Sequence, residues 1–178
     1  DWKIGISGLQ PADEGKIKIE IISDKKIILN HGWTEMGQGV NTMAVQFFCQ
    51  ETGIEPDIIE VRVDTAEGAT AGMTTASRAT SIIGNSIANA CKKLRGDLKT
   101  HSLKELTGNV YNGEWICNWT TKLGYETKEI ITHYSYSYAT QVVVLNDEGK
   151  IDTVYAAHDA GKIINPSLFE GQIEGSIH

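Results

Sequence analysis

Two stretches of this chain carry residue types at a spacing that could grip a polar, anionic ligand. The first is His31-Gly32-Trp33-Thr34-Glu35-Met36-Gly37-Gln38-Gly39, and the second is Gly72-Met73-Thr74-Thr75-Ala76-Ser77-Arg78. Each leads into a segment with helical periodicity. Loops of this kind offer backbone N–H groups that no helical turn consumes, and the helix dipole adds positive potential at the same place. A pair of them in one domain could hold such a ligand from two sides. Gln38, between Gly37 and Gly39, adds a primary amide with two donors and an acceptor, suited to the edge of a polar ring. Gln172 repeats the theme after Gly171. A Gln buried in such a frame needs partners, and a polar cofactor would supply them. The same residues also have plainer readings. Gly37 and Gly39 can simply make a tight turn, Ser77 or Thr75 can cap a helix, and Glu35 and Asp159 can anchor loops.

No catalytic set assembles from the remaining residues. His31, His101, His133, His158 and His178 fall in no metal-binding spacing. His158 and Asp159 are strand neighbours and face opposite ways, so His158 reads as a structural histidine near a sheet edge. Ser77 lacks a Gly-x-Ser-x-Gly frame. Cys49, Cys91 and Cys117 match no zinc or iron–sulfur pattern. Cys49 and Cys91 lie in helical patterns as buried free thiols, a usage that suits a reducing cytoplasm.

These loops need elements to aim them. The chain has 178 residues, 40% hydrophobic and 22% charged, with a net charge of −7, which fits a globular domain with a sizeable core. Its basic residues Lys92, Lys93 and Arg95 close a helix rather than form a nucleic-acid face. No apolar run approaches the ~20 residues of a membrane span. Asp1-Trp2-Lys3 is neither a signal peptide nor an initiator Met, so the chain is expected to be a piece of a longer protein.

Lys16 to Ile22 alternates as a half-buried strand, returning at Ile27 to Leu29. Val40, Met43, Ala44, Phe47 and Phe48 predict a helix ending at Gly53. Ile58 to Val63 reads as a strand. Ser77 to Leu98 is a long amphipathic helix whose Ala79, Gly84, Ala88 and Ala90 allow close packing. Tyr134 to Leu145 and Ile151 to Ala156 predict a hairpin about Asn146-Asp147-Glu148-Gly149. Pro166 to Gly175 starts a last helix. The order predicts an α+β fold: mixed or antiparallel sheet hairpins packed with two amphipathic helices, one domain over residues 1–178, with 101–130 as a small antiparallel excursion.

At this point the residues resemble a family. Thr34-Glu35-Met36-Gly37-Gln38-Gly39, with Thr42 and Gln46 following, is similar to the pterin-binding loop of molybdenum hydroxylases, the xanthine dehydrogenase and aldehyde oxidase enzymes. Thr74-Thr75-Ala76-Ser77 and the helix segment Gly84 to Cys91 resemble a second cofactor block. Tyr136 to Val144, Asp159-Ala160-Gly161 through Asn165-Pro166, and Gly171-Gln172-Ile173-Glu174-Gly175 resemble the third and fourth.

The resemblance implies a fragment of the large, molybdopterin-binding subunit, here a partial molybdopterin-binding domain. It implies molybdenum held by molybdopterin dithiolene sulfurs, commonly as a cytosine dinucleotide in bacteria, with no protein metal ligand. Iron–sulfur clusters and FAD sit on other domains or subunits, and with the rest of the large subunit these are the implied partners. The implied reaction is hydroxylation of a purine, another N-heterocycle or an aldehyde with oxygen from water, in the cytoplasm. Gly37, Gln38, Thr74, Ala76, Ser77 and Gln172 are the implied cofactor contacts, with Ala76 near the metal. The family's general base is a Glu in a Gly-rich loop that this chain does not reach, so no catalytic residue is assigned and the isolated fragment is expected to be inactive. A competing reading rests on the same helix-start loops: a non-catalytic phosphate- or nucleotide-binding or assembly module. A purely structural α+β domain is a third.

Overall fold

Ile17, Ile19 and Ile21 alternate with Lys16, Lys18 and Glu20, and that period of two gives β1 (Asp13–Ser23) one apolar and one charged face. A tight turn returns the chain as β2 (Lys26–His31), antiparallel to β1, with Ile19 opposite Leu29 and Ile17 opposite His31. The computed structural model describes residues 13–66, 69, 74, 77–121, 126–131 and 136–177. They fall into two compact units, Asp1–Tyr134 and Ser135–His178.

In the first unit, α1 (Val40–Thr52) buries Val40, Met43, Ala44 and Phe48 along one stripe. Its stop is Gly53, at φ 73°, whose N–H reaches the Cys49 carbonyl at 2.8 Å. A single 3₁₀ turn (Pro56–Ile58) then leads into β3 (Ile59–Val63). β3 runs parallel to β2, with Leu29 beside Val61. Parallel neighbours need a crossover, and α1 supplies it.

α2 (Ala79–Asp97) buries Ile82, Ile83, Ser86, Ile87, Ala90, Cys91 and Leu94. It lies on β1, on β4 and against α1. β4 (Val110–Cys117) pairs antiparallel with β1 and completes a sheet of order β3-β2-β1-β4. Thus residues 110–117, where the sequence periodicity fades, form an edge strand of the main sheet. The signal is weak because the inward position Gly113 carries no side chain. A Cβ there would run into the Ser86 carbonyl of α2. The core is therefore the isoleucine face of β1 and β2 against one face of each helix. Each fully buried Ile or Leu contributes about 1.5–3 kcal/mol.

In the second unit, β5 (Tyr138–Leu145) and β6 (Ile151–Asp159) form an antiparallel hairpin. Asn146 Oδ1 accepts the amides of Glu148 and Lys150 at 3.0 and 2.9 Å and closes its turn. α3 (Pro166–Ile177) opens with Pro166 at its first position. The Asn165 side chain accepts the Leu168 N–H at 2.9 Å as its cap. His158 is half-buried on β6 and meets the Phe169 ring edge-on at 6.5 Å.

Candidate functional site

The chain leaves β2 at His31 and enters α1 at Val40, so the first loop must turn sharply in between. Gly37 and Gly39 make that turn, at φ 97° and 80°, a left-handed region where a side chain would be strained. Apart from its two chain neighbours, no atom of the described residues lies within 4 Å of where a Cβ on Gly37 would stand, so a ligand could approach the turn closely.

The N–H groups of Gly37, Gly39 and Asn41, at the turn and the start of α1, are not free, contrary to the expectation from the loop's composition. The Glu35 carboxylate accepts Gly37 and Gly39 on Oε1, both at 2.9 Å, and Asn41 on Oε2 at 3.0 Å. The chain thus supplies its own anion to the start of α1, where amides and dipole favour one. Burial pushes the Glu35 carboxyl up, but the amides of Asn41, Gly39, Gly37 and Val40 together outweigh it and hold it below its ordinary value. A phosphate-cradle reading of this loop needs those amides, and Glu35 already fills them. Glu35 is the loop anchor of the plainer reading.

Gln38 is half-exposed rather than buried, and its amide is partly used by its own loop. Oε1 accepts the Met36 N–H at 2.6 Å, and Nε2 donates to the Thr34 carbonyl at 2.9 Å. One amide hydrogen and one lone pair remain for a ligand.

The two loops meet. The Thr34 N–H donates to the Thr74 hydroxyl at 3.2 Å, across forty residues of sequence. Below them, the buried Arg78 guanidinium lies 5.1 Å from the centre of the fully buried Trp33 ring, a cation–π contact that ties the start of α2 to the first loop. Arg78, not Ser77, is the N-cap of α2, and no side chain caps it. Ser77 is exposed and sits at φ 53°, an uncommon conformation for a residue with a side chain. Thr75 and Ala76 lie outside the described residues, as do Gly72 and Met73. Gln172 is exposed on α3 in the second unit, where Ser176 donates to its carbonyl at 2.6 Å. Asp159 anchors its loop by accepting the Gly161 N–H at 3.0 Å.

His31 props the first loop from beneath. It is fully buried, its Nδ1 accepts the Trp33 N–H at 3.2 Å, and Nε2 lies 3.0 Å from Asn41 Oδ1. Accepting at Nδ1 leaves Nε2 as the donor to Asn41, so the ring is neutral. Burial pushes its pKa down against the opposing pull of Asn41 and Glu35. The Trp33–Arg78 stack and the His31–Asn41 pair had no signal in sequence, since each joins residues outside any one periodic segment. Among the described residues no group of three or more His, Cys, Asp or Glu is placed to hold a metal ion. No helix there is long and apolar enough to cross a membrane.

The joined loops carry neutral hydrogen-bonding side chains, the half-exposed Gln38 amide and the Thr74 hydroxyl that meets the Thr34 N–H, with Thr34 and Ser77 exposed beside them in sequence. Neutral groups of this kind beside a glycine turn are chemically suited to hydrogen-bond a large polar cofactor. By architecture this is an α+β domain with helix-leading loops joined to each other.

Its family is specific. The chain matches the molybdopterin cofactor-binding domain family over residues 2–118 and 107–178, and it belongs to that family. It is similar to the xanthine dehydrogenase of Drosophila subobscura, with 26% identity over 98% of this chain and 15% of that protein. It is likewise similar to aldehyde oxidase 4 of Rattus norvegicus, with 27% identity over 89% of this chain and 13% of the relative. The fold is shared with the aldehyde oxidoreductase of Desulfovibrio desulfuricans ATCC 27774, with a TM-score of 0.77 and 23% identity over 94% of this chain and 20% of that one. The chain thus spans about a seventh of the length of the curated relatives it matches.

Proposed function

We propose that the protein carrying this chain is a molybdenum hydroxylase of the xanthine dehydrogenase and aldehyde oxidase kind, and that residues 1–178 form part of the domain that holds its molybdopterin. The observation that carries this reading is the Thr34–Thr74 hydrogen bond. In a chain of a molybdopterin-binding family, it brings the two loops that resemble cofactor loops to one place. Gly37, Gln38, Thr74, Ala76, Ser77 and Gln172 are the proposed cofactor contacts. When bound, the cofactor supplies the two-electron redox chemistry of a hydroxylation. The residues of this chain bind and orient it through neutral hydrogen-bonding groups.

The substrate class is an N-heterocycle such as a purine, or an aldehyde, in keeping with the names of the relatives. Electrons leave through iron–sulfur clusters and FAD on other domains or subunits. No residue here is assigned as the catalytic base, and the 178 residues alone are expected to turn over neither xanthine nor an aldehyde; measurable turnover by them overturns that part of the reading.

The direct test is Gln38→Ala in the protein that carries this chain. Losing the ligand-facing amide removes about 1 kcal/mol or more of binding, so molybdenum content and releasable fluorescent pterin should fall about fivefold. Unchanged molybdenum and pterin would remove Gln38 from the site.

A further inference from the structure

Between Thr34 and Gly39, ahead of α1, the chain makes no regular secondary structure, and two of its residues sit at positive φ. A turn of that kind has many alternative shapes unless something clamps it. The clamp is Glu35. One side chain spans the whole turn, taking Gly37 and Gly39 on one oxygen and Asn41 on the other. All three are hydrogen bonds to a carboxylate, the stronger kind. Gln38 lies inside the clamped segment, and both ends of its amide are closed onto the same loop through Met36 and Thr34. Its orientation therefore follows from the backbone that Glu35 holds. His31 supports the far end, since its Nε2 meets the side chain of the same Asn41 whose N–H Glu35 accepts.

We propose that Glu35 is the positioning residue of the ligand-facing turn: it holds Gly37 to Asn41 in the ligand-ready shape before any ligand arrives, so that Gln38 offers its remaining N–H and lone pair already oriented. The ordering cost is met within the folded chain and not at binding. The proposal rests on the reading of this loop as cofactor-facing. It adds that the turn meets its ligand through the Gln38 side chain, because the amides of Gly37, Gly39 and Asn41 are committed to Glu35.

The test compares Glu35→Ala, Glu35→Gln and Gln38→Ala in the protein that carries this chain. Hydrogen exchange is read on a peptide covering residues 34–42, and molybdenum and releasable pterin are measured on the same samples. Glu35→Ala should speed exchange of that peptide by about tenfold or more and lower cofactor content by about tenfold. Glu35→Gln keeps one carbonyl oxygen for Gly37 and Gly39 but sets an NH₂ against the Asn41 N–H, so it should fall between wild type and Glu35→Ala in both readouts. Gln38→Ala should lower cofactor content while Gly37, Gly39 and Asn41 stay protected. A purely structural Glu35 would not make the two readouts move together in this graded way.

Exchange unchanged in Glu35→Ala overturns the proposal. So does full cofactor content in Glu35→Ala when Gln38→Ala has lost it. If both variants keep full cofactor while Glu35→Ala loosens the turn, the cofactor reading itself fails, and the proposal with it. Should Glu35→Ala not fold, Glu35→Gln carries the comparison: partial loss supports the proposal, and full retention beside a depleted Gln38→Ala overturns it.

Discussion

Three glycines of the first unit differ in what a methyl group would meet, and together they test the packing that aims the loops. At Gly113 a Cβ would strike the backbone carbonyl of Ser86 and come within 2.9 Å of Ala90 Cβ and N. Ser86 and Ala90 lie in the middle of α2, so nothing there can swing aside; strand and helix must part. Overpacking of this kind costs about 1–3 kcal/mol. Replacing glycine in a strand returns at most about 0.5–1 kcal/mol. Gly113→Ala is therefore expected to destabilise by about 1–2 kcal/mol.

At Gly84 the methyl would meet the Phe47 ring, nearest at 2.5 Å. A ring can rotate, at about 0.5–1.5 kcal/mol for an off-rotamer torsion, against a helix-propensity gain of about 1 kcal/mol. The net change for Gly84→Ala is within about 1 kcal/mol of zero. At Gly96, still inside α2, nothing lies within 4 Å, so Gly96→Ala is expected to stabilise by about 0.5 kcal/mol. The assay is urea unfolding followed by tryptophan fluorescence, with Trp33 fully buried as the main reporter. Midpoint shifts at constant slope give the differences. If Gly113→Ala is tolerated as well as Gly96→Ala, α2 does not lie on β4 as described and the reasoning fails.

Stability should also fall with acid in two steps, the first opening near pH 6.5 and the second near pH 4.5. His31 is held below its ordinary 6.5, so its contribution is intact above that pH and is lost as pH falls through it toward the lower folded value. Glu35 is held below its ordinary 4.5, so its contribution persists to lower pH and is lost as pH falls from there through the folded value. In unfolding measured across pH, His31→Gln should flatten the upper step and leave the lower; an unchanged upper step would mean that His31 is not the group responsible. Cys91, fully buried with its thiol pushed up to about 12 by burial first and Glu51 second, should resist iodoacetamide at neutral pH until the chain unfolds. Equal labelling rates in native and unfolded protein would contradict that burial.

Local pattern was enough to read most of the elements. Alternation in Lys16 to Ile22 marks β1, the three-to-four spacing from Val40 to Phe48 marks α1 with its Gly53 stop, and the Asn146 turn marks the last hairpin. Each of these depends on residues within a few positions of one another, and the four cofactor-like blocks are contiguous words of the same kind. What the tertiary structure decided is non-local. Composition could not tell that the Gly37 and Gly39 amides are taken by Glu35. It could not tell that Gln38 folds back on Thr34, or that Thr74 and Arg78 come to Thr34 and Trp33. Nor could it give β4, whose inward glycine erases its periodicity. A side chain's hydrogen-bond partner is set by where the packed helices and sheet bring distant loops together, and periodicity along the chain carries no record of that meeting.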